Sequence, residues 1–345
     1  LGVKSHVSLE QTEQYYTDII KYLIFGNVLK NNSYPLSVSS ERIHQAIALA
    51  EYAKKIEAKY IAHGSTGAGN DQVRFDLIFQ LIAPEIQILT PIRDQKLSRK
   101  EEIEYLKAHG IAVDWEKAKY SINKGLWGTS IGGQETLSSL NALPNEAYPE
   151  QVQTNVPEKI KLSFTKGELS ALNGKALSPV QCIQQLQQIA GKYAIGRDIH
   201  VGDTIIGIKG RVGFEAAAAH IIIKAHHTLE KHTLSKWQLQ WKEQLASWYG
   251  MFIHEAQYFE PAMRNIEAFL TDSQSRVTGD VFIELHPYRF AVEGIQSDFD
   301  LLSSGFGDYG EINKNWTGDD VKGFTKIMAL NMQIYNQKEQ NTNKS

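Results

Sequence analysis

The run His63-Gly64-Ser65-Thr66-Gly67-Ala68-Gly69 gathers three glycines and two hydroxyls in a short space. Glycines let a backbone come close to a ligand, and a helix opening just after them would offer free N–H groups to an anion. Asn70-Asp71-Gln72-Val73-Arg74 follows directly. On a helix Asn70 and Arg74 share a face one turn apart. An arginine there can grip a carboxylate with its planar fork, while Asn70 and Asp71 can hold amino or ureido groups. The same spacing is also that of a plain glycine-rich turn before a capped, solvated helix. The run is neither a Walker loop nor a dinucleotide fingerprint, since no Gly-Lys-Ser/Thr closes it and its glycine spacing differs.

Other reactive side chains read as structural. His220, His226, His227 and His232 have no zinc-ligand spacing and no neighbouring cysteine, so they are expected in the core or on the surface. Ser121 and Ser130 lack the glycines of a nucleophile elbow. Trp237, Trp241 and Trp248 recur at helical spacing and are expected to pack rather than to stack on a ligand.

The elements that must position residues 63–74 alternate helix and strand. Ser39 or Ser40 is expected to cap a helix with the apolar face Ile43, Ala46, Ile47, Ala50 and Ala53, with Glu41 in its first turn. Lys59 to Ala62 reads as a short buried strand. The glycine run follows it, then a helix from Asn70 or Asp71 with the stripe Val73, Leu77, Ile78 and Leu81, ended by Pro84. Ile86 to Leu89 is the next strand. Ser98 and Glu101 form a capping box before Ile103 and Leu106, Gly110 is the C-cap residue, and Ile111 to Val113 is a third strand. This alternation predicts an open α/β domain with a parallel, covered sheet.

Beyond about residue 119 the pattern changes. Ile160, Leu162 and Phe164 alternate with polar residues as in a half-buried antiparallel strand. Asn173-Gly174 is a hairpin turn. Ser178 and Pro179 open a helix lined by Val180, Ile183, Leu186 and Ile189. A long helix carries Trp237, Trp241, Leu245 and Trp248, and Val281, Ile283 and Leu285 form a late strand. Mixed elements without strict alternation predict an α+β region. From Thr317 the tail is helical, turning polar at Asn336 to Ser345.

The chain has 345 residues, 42% hydrophobic and 22% charged, which suits about two domains. With 36 basic and 39 acidic residues the net charge is −3, so nucleic acid and anionic membrane are not expected partners. Cys182 is the one cysteine, which rules out an intrachain disulfide and fits a reducing cytoplasm. The apolar stretches are far below a membrane span.

Taken together, several motifs resemble argininosuccinate synthases along essentially the whole chain. They are His63 to Phe75, Ser98 to Tyr105, Tyr120-Ser121-Ile122-Asn123 with Leu126-Trp127-Gly128-Thr129-Ser130, Ala171-Leu172-Asn173-Gly174 with Leu177-Ser178-Pro179, Gly207-Ile208-Lys209, and Arg276-Val277-Thr278-Gly279. The chain looks closest to the bacterial branch with alanine at position 68. The resemblance implies a ligase with no protein nucleophile. It joins citrulline to aspartate at the expense of ATP through citrullyl-AMP, with Mg²⁺ on the phosphates. It also implies a cytoplasmic homotetramer.

The resemblance also implies residue roles. Gly64 approaches ATP. Tyr34, Ser39, Asn70, Arg74, Ser121 and Ser130 match citrulline positions, with Arg42 a further carboxylate ligand. Thr66, Asn70 and Asp71 match aspartate positions. Two citrulline positions depart from the family: Gly202 stands where a glutamate is usual and Phe214 where a tyrosine is usual. Asp203 is the candidate to supply the missing charge.

The family's Ser-Gly-Gly-x-Asp-Thr/Ser phosphate loop does not occur in residues 1–345, and Leu1-Gly2-Val3 resembles a later point of the first domain. The expected organisation is a truncated ATP-pyrophosphatase-type α/β domain over 1–115, an α+β synthetase domain over 116–316 and a C-terminal oligomerisation helix over 317–345. A polypeptide of this extent alone is expected to be inactive. The alternative reading is a non-catalytic remnant that keeps only fold and oligomer contacts.

Overall fold

A computed structural model of the chain describes residues 3–111, 120–303, 305–306 and 315–342. The chain enters through a helical segment, α1 (Thr12–Tyr15), a π-helical turn (Tyr16–Ile20) and α2 (Lys21–Phe25). Tyr15, Ile19, Ile20, Leu23, Ile24 and Phe25 are buried, so this segment belongs to the core.

Helix α3 (Ser37–Lys55) buries Ile43, Ala46, Ala50 and Ala53 as its pattern predicts. It starts earlier than the expected Ser39 or Ser40 cap, after Leu36 in the left-handed region at φ 60°. Both serines are instead buried and used in tertiary contacts. Ser40 Oγ lies 2.6 Å from Tyr15 Oη and 2.8 Å from the Leu36 carbonyl, and Ser39 faces Arg74. Glu41 therefore falls beyond the first turn, where its carboxylate accepts from Gln45 Nε2 at 2.8 Å.

Strands β1 (Tyr60–Ala62) and β2 (Gln87–Leu89) pair in parallel, Tyr60 opposite Gln87 and Ala62 opposite Leu89. The expected parallel pairing is there, but β1 is not a buried strand. Among the described residues each strand has one partner, and only Ile61 packs on the core, leaving Tyr60 and Ala62 exposed. Helix α4 (Asp71–Ile82) follows the glycine run with Asn70 at its N-cap. Its buried face holds Gln72, Arg74, Ile78 and Phe79, whereas Leu81 of the predicted stripe is exposed. Hydrophobic counting misplaces the stripe because it scores Arg74 as a surface residue. Pro91–Asp94 (α5) follows β2, and α6 (Arg99–Ala108) opens on the Ser98/Glu101 capping box. Gly110 adopts φ 73° just past its end. The strand expected at Ile111 to Val113 runs outside the described residues.

The rest is antiparallel. β3 (Ser121–Gly125), β4 (Gly128–Gly132), β8 (Arg197–Asp203) and β9 (Lys209–Glu215) form one sheet in the order β3-β4-β9-β8. β5 (Glu158–Thr165), β6 (Glu168–Leu172), β7 (Lys175–Ala176), β10 (Gly279–His286) and β11 (Arg289–Gln296) form another in the order β11-β10-β5-β6-β7. Ile160, Leu162, Phe164, Val281, Ile283 and Leu285 face its buried side, as their alternation predicts. Four helices pack here: α7 (Pro179–Gly191), α8 (Ala217–Thr233), α9 (Lys236–His254) and α10 (Pro261–Ser273). The Asn173-Gly174 turn forms as expected, and Ser178 caps α7 as expected, there as a full capping box with Gln181.

Helix α9 departs from expectation. Trp237, Trp241 and Trp248 are 65%, 59% and 59% exposed. The buried side of α9 is Lys242, Ala246, Tyr249, Gly250 and Ile253 instead. Lys242 turns inward because a buried carboxylate waits there: its Nζ is 2.9 Å from Glu230 and donates to the Phe25 carbonyl at 2.9 Å. Asn27, His226 and Gln274 complete this dry polar cluster. Asn27 Nδ2 and Gln274 Nε2 donate to Glu230 at 2.5 and 2.9 Å, and both amide oxygens face the His226 ring nitrogens. His226 is thus a core histidine, as read from sequence.

The chain up to Phe299 forms one compact unit, and residues from Asp300 onward form a second. The second contains α11 (Gly318–Thr342), which stays helical into the expected polar tail as far as Thr342 and exposes Phe324, Ile327, Met328, Ile334 and Tyr335. Among the described residues no helix is long and apolar enough to cross a membrane.

Candidate active site

Parallel strands present their carboxyl ends to ligands, and here the loops after β1 and β2 leave at the same edge. The glycine loop is braced from beneath. His63 Nδ1 accepts from the Ser65 amide at 3.3 Å, so its proton sits on Nε2 and points to Asp76 Oδ1 at 2.8 Å. Arg93 of α5 holds the other Asp76 oxygen at 2.6 Å, and Gln72 Nε2 donates to the Gly67 carbonyl at 2.5 Å. The loop is therefore fixed through side chains behind it, which leaves its front open.

That front borders a cavity of about 760 Å³. Its walls include Tyr34, Ser39 and Arg42 from around α3, then Gly64, Thr66, Asn70, Asp71 and Arg74 from the glycine loop and α4. Ser130 of β4 and the β8–β9 hairpin residues His200, Gly202, Asp203 and Arg211 complete them. Every expected site residue but one thus borders a single space. Ser121 is not among the lining residues; it lies on β3, opposite Gly132 in register.

Arg74 organises the centre. It is only 3% exposed. Nε and Nη2 donate to the His254 carbonyl at 3.2 and 3.0 Å, Nη2 to Ser39 Oγ at 2.9 Å and Nη1 to Asp71 Oδ1 at 3.0 Å. Arg42 approaches the other Asp71 oxygen, with Nε at 3.1 Å, and donates to Asn123 at 2.7 Å. The Asp71 carboxylate is thus shared by two arginines. Asn70 Oδ1 accepts from the Ile205 amide at 2.8 Å, which ties the β8–β9 hairpin to the head of α4.

Two histidines that no motif announced also border the cavity. His254 Nε2 faces the Asp203 carbonyl at 3.0 Å, so it donates there and its Nδ1 faces Arg74. Burial first, then the charges of Arg74 and Lys30, push its imidazole down to about 4. His200 stacks on Tyr34, with centroids 5.0 Å apart. Phe214 meets the same Tyr34 ring edge-on at 5.2 Å, and it is wholly buried. Asp203 does not supply the charge expected of it. Its carboxylate pairs with Lys209 at 2.6 Å, and its side chain is 68% exposed. The hairpin sets this outcome: Asp203 and Lys209 are opposed in register and both point outward.

A ligand entering this space meets arginine N–H groups, hydroxyls, an asparagine and main-chain groups of a glycine loop. That inventory can orient substrates and stabilise charge. An α/β unit followed by an antiparallel region, the two together lining a polar cleft, has matches along nearly its whole length. Residues 1–112 fit the arginosuccinate synthase N-terminal HUP domain, and residues 120–335 fit the arginosuccinate synthase C-terminal domain.

The argininosuccinate synthase of Methanocaldococcus jannaschii is 36% identical over 338 residues, covering 97% of this chain and 85% of that protein. That of Dictyoglomus thermophilum is 35% identical over 337 residues, with the same coverages of 97% and 85%. That of Pyrococcus furiosus is 35% identical over 335 residues, covering 95% of this chain and 80% of that protein. The chain belongs to the argininosuccinate synthase family, whose members are ligases that form a carbon–nitrogen bond.

Proposed function

We propose that the protein joins the ureido group of citrulline to the amine of aspartate, using ATP. The urea carbon is a poor electrophile until its oxygen is adenylated. The ureido oxygen attacks the α-phosphorus of ATP and pyrophosphate leaves, giving citrullyl-AMP. The aspartate amine then attacks the activated carbon, loses a proton, and AMP departs. Each step needs placement and charge stabilisation more than a protein base.

The observation that carries this reading is the convergence of Tyr34, Ser39, Thr66, Asn70, Asp71, Arg74 and Ser130 on one cavity beside the glycine loop. Gly64 would lie against the nucleotide, Thr66 and Asp71 against aspartate, and Asn70 between the two amino acids. Tyr34, Ser39, Arg74 and Ser130 would face citrulline. Among the described residues no group of three or more His, Cys, Asp or Glu could hold a metal ion. Mg²⁺ would therefore arrive with the ATP phosphates. We assign residues 1–115 to nucleotide binding, 116–316 to the synthetase region and 317–345 to assembly of a cytoplasmic homotetramer. The test is formation of AMP and pyrophosphate by the native protein with ATP, citrulline and aspartate, each left out in turn. AMP formation that ignores both amino acids would refute the reading.

A further inference from the structure

The cavity wall made by His200 and Gly202 has a chemistry of its own. Among the described residues two carboxylates border the cavity, those of Asp71 and Asp203. Asp71 is shared by Arg42 and Arg74, and Asp203 is paired outward with Lys209. Arg211 adds a third guanidinium to the lining, donating to the main-chain carbonyls of Glu135 and Ser138. The balance of the walls is cationic, and neither carboxylate is left to meet an ammonium group.

The local polarity agrees with the charge count. His200 is 6% exposed, and its Nδ1 is buried with no partner among the described residues. A proton on Nδ1 would be a buried donor without an acceptor, so the proton belongs on Nε2. Burial, then the charge of Lys30, push this imidazole below the usual histidine range, so it is neutral. At Gly202 a Cβ would stand 2.7 Å from His200 Nε2 and 3.2 Å from Asn31 Nδ2. His200 Nε2 thus fills the place a side chain at 202 would take, and it and Asn31 Nδ2 set two nitrogen donors at this point of the wall. Donors suit a carbonyl oxygen. An ammonium, which only donates, would face these N–H groups instead of a carboxylate.

Resting on the citrulline reading above, we infer that the ureido substrate is taken with its α-amine capped as an amide, that is, as an Nα-acylcitrulline whose acyl oxygen meets His200 Nε2 beside Gly202. His200 is then a specificity-determining residue. An amide nitrogen carries no charge, so the cationic wall no longer opposes it. The bond-forming chemistry is unchanged, because the ureido group lies at the far end of the side chain.

The test is steady-state pyrophosphate release by the native protein with ATP, aspartate and either citrulline, Nα-acetylcitrulline or Nα-succinylcitrulline. Calorimetric binding of each ureido acid accompanies it. One or both acylated substrates should exceed citrulline in kcat/KM by at least tenfold, mainly through KM. A larger gain for the succinyl than for the acetyl compound would trace to the arginine excess. Citrulline equal to or better than both overturns this inference while leaving the ligase reading standing. Turnover of none of the three overturns both.

His200→Leu should cut the acyl preference at least tenfold by raising KM for the acylated substrate, with kcat little changed. Gly202→Glu should reverse the preference by turning the His200 ring aside and placing a carboxylate at this wall. Thermal melts of both variants guard against misfolding, and His200→Leu decides alone if Gly202→Glu does not fold. An unaltered substrate ratio in folded His200→Leu also overturns the inference.

Discussion

Arg74 and His254 lie 180 positions apart, yet Arg74 Nε and Nη2 converge on the His254 main-chain oxygen at 3.2 and 3.0 Å. The head of α4 is thereby pinned to the end of α9. Because the same guanidinium also reaches Ser39 and Asp71, three helices meet in one planar group. Arg74→Lys keeps a charge but loses the fork. We expect it to cost about 1.5–3 kcal/mol of stability, read by urea denaturation. KM for the ureido acid should rise on the order of tenfold or more, against little change in KM for ATP. An unchanged KM for the ureido acid would remove Arg74 from that end of the cavity.

Asp71→Asn separates the two chemical steps. The amide keeps the shape but gives up the charge that Arg42 and Arg74 share. Pyrophosphate release dependent on the ureido acid should persist, while ligated product falls about a hundredfold. Rapid-quench measurement that found both steps equally slowed would contradict the assignment of Asp71 to aspartate.

The Glu230–Lys242 pair is wholly buried. Removing one partner strands the other, so Lys242→Met should destabilise the fold by about 3–5 kcal/mol. The double change Lys242→Met with Glu230→Leu should recover much of that loss. Chemical denaturation of the three proteins checks this, and a double variant no better than the single would show that the amide cluster depends on Glu230 itself.

Glu215 sets a pH dependence. Burial pushes its carboxyl up to about 7, against the Glu150 amide that donates to it, with the Glu150 charge adding to the rise. In this window the folded protein binds the proton more tightly than the unfolded chain does. This group's contribution to stability is therefore present below the ordinary carboxylate range and is lost as pH rises through about 7. His254 runs the opposite way. Its lowered imidazole favours the fold above the ordinary histidine range, and that contribution is lost as pH falls toward about 4. Glu215→Gln isolates the first effect. The gain of wild type over the variant on going from pH 8 to pH 5, in urea midpoints, should vanish if Glu215 does not titrate as described.

Helix α11 exposes Phe324, Ile327, Met328, Ile334 and Tyr335. With the assembly proposed above, a version ending at Gly323 should give a smaller species by light scattering than the native protein does. An unchanged mass would exclude α11 from the interface.

Local signals carried much of the fold. The Ser98 capping box and the Ser178 cap both form, and the alternation at Ile160 to Phe164 and at Val281 to Leu285 maps onto one buried sheet face. These features are legible because cap and pleat are each settled within a few residues. Ser39 and Ser40 misled because their hydroxyls answer to Arg74 and Tyr15, residues far away in sequence. The α4 stripe misled because a buried arginine sits on its inner face. At the site, the glycine loop and the Asn70, Asp71, Arg74 set were legible as a contiguous motif. His200, Arg211 and His254 were not. They reach the cavity only when the β8–β9 hairpin and the end of α9 close over α4, and nothing in their own neighbourhoods marks that meeting.

The outward tryptophans of α9 have an optical consequence. Among the described residues Trp237, Trp241, Trp248 and Trp316 are exposed, Trp127 is buried, and none of these five lines the cavity. Emission from the dispersed protein should be weighted toward long wavelengths and open to quenching by iodide or acrylamide. Substrates filling the cavity should leave the emission of these five almost untouched even at saturation. Covering the outer face of α9 would instead shift the spectrum to the blue. The light of the α9 tryptophans reports on what meets that flank, and calorimetry or product formation reports on what enters the cleft.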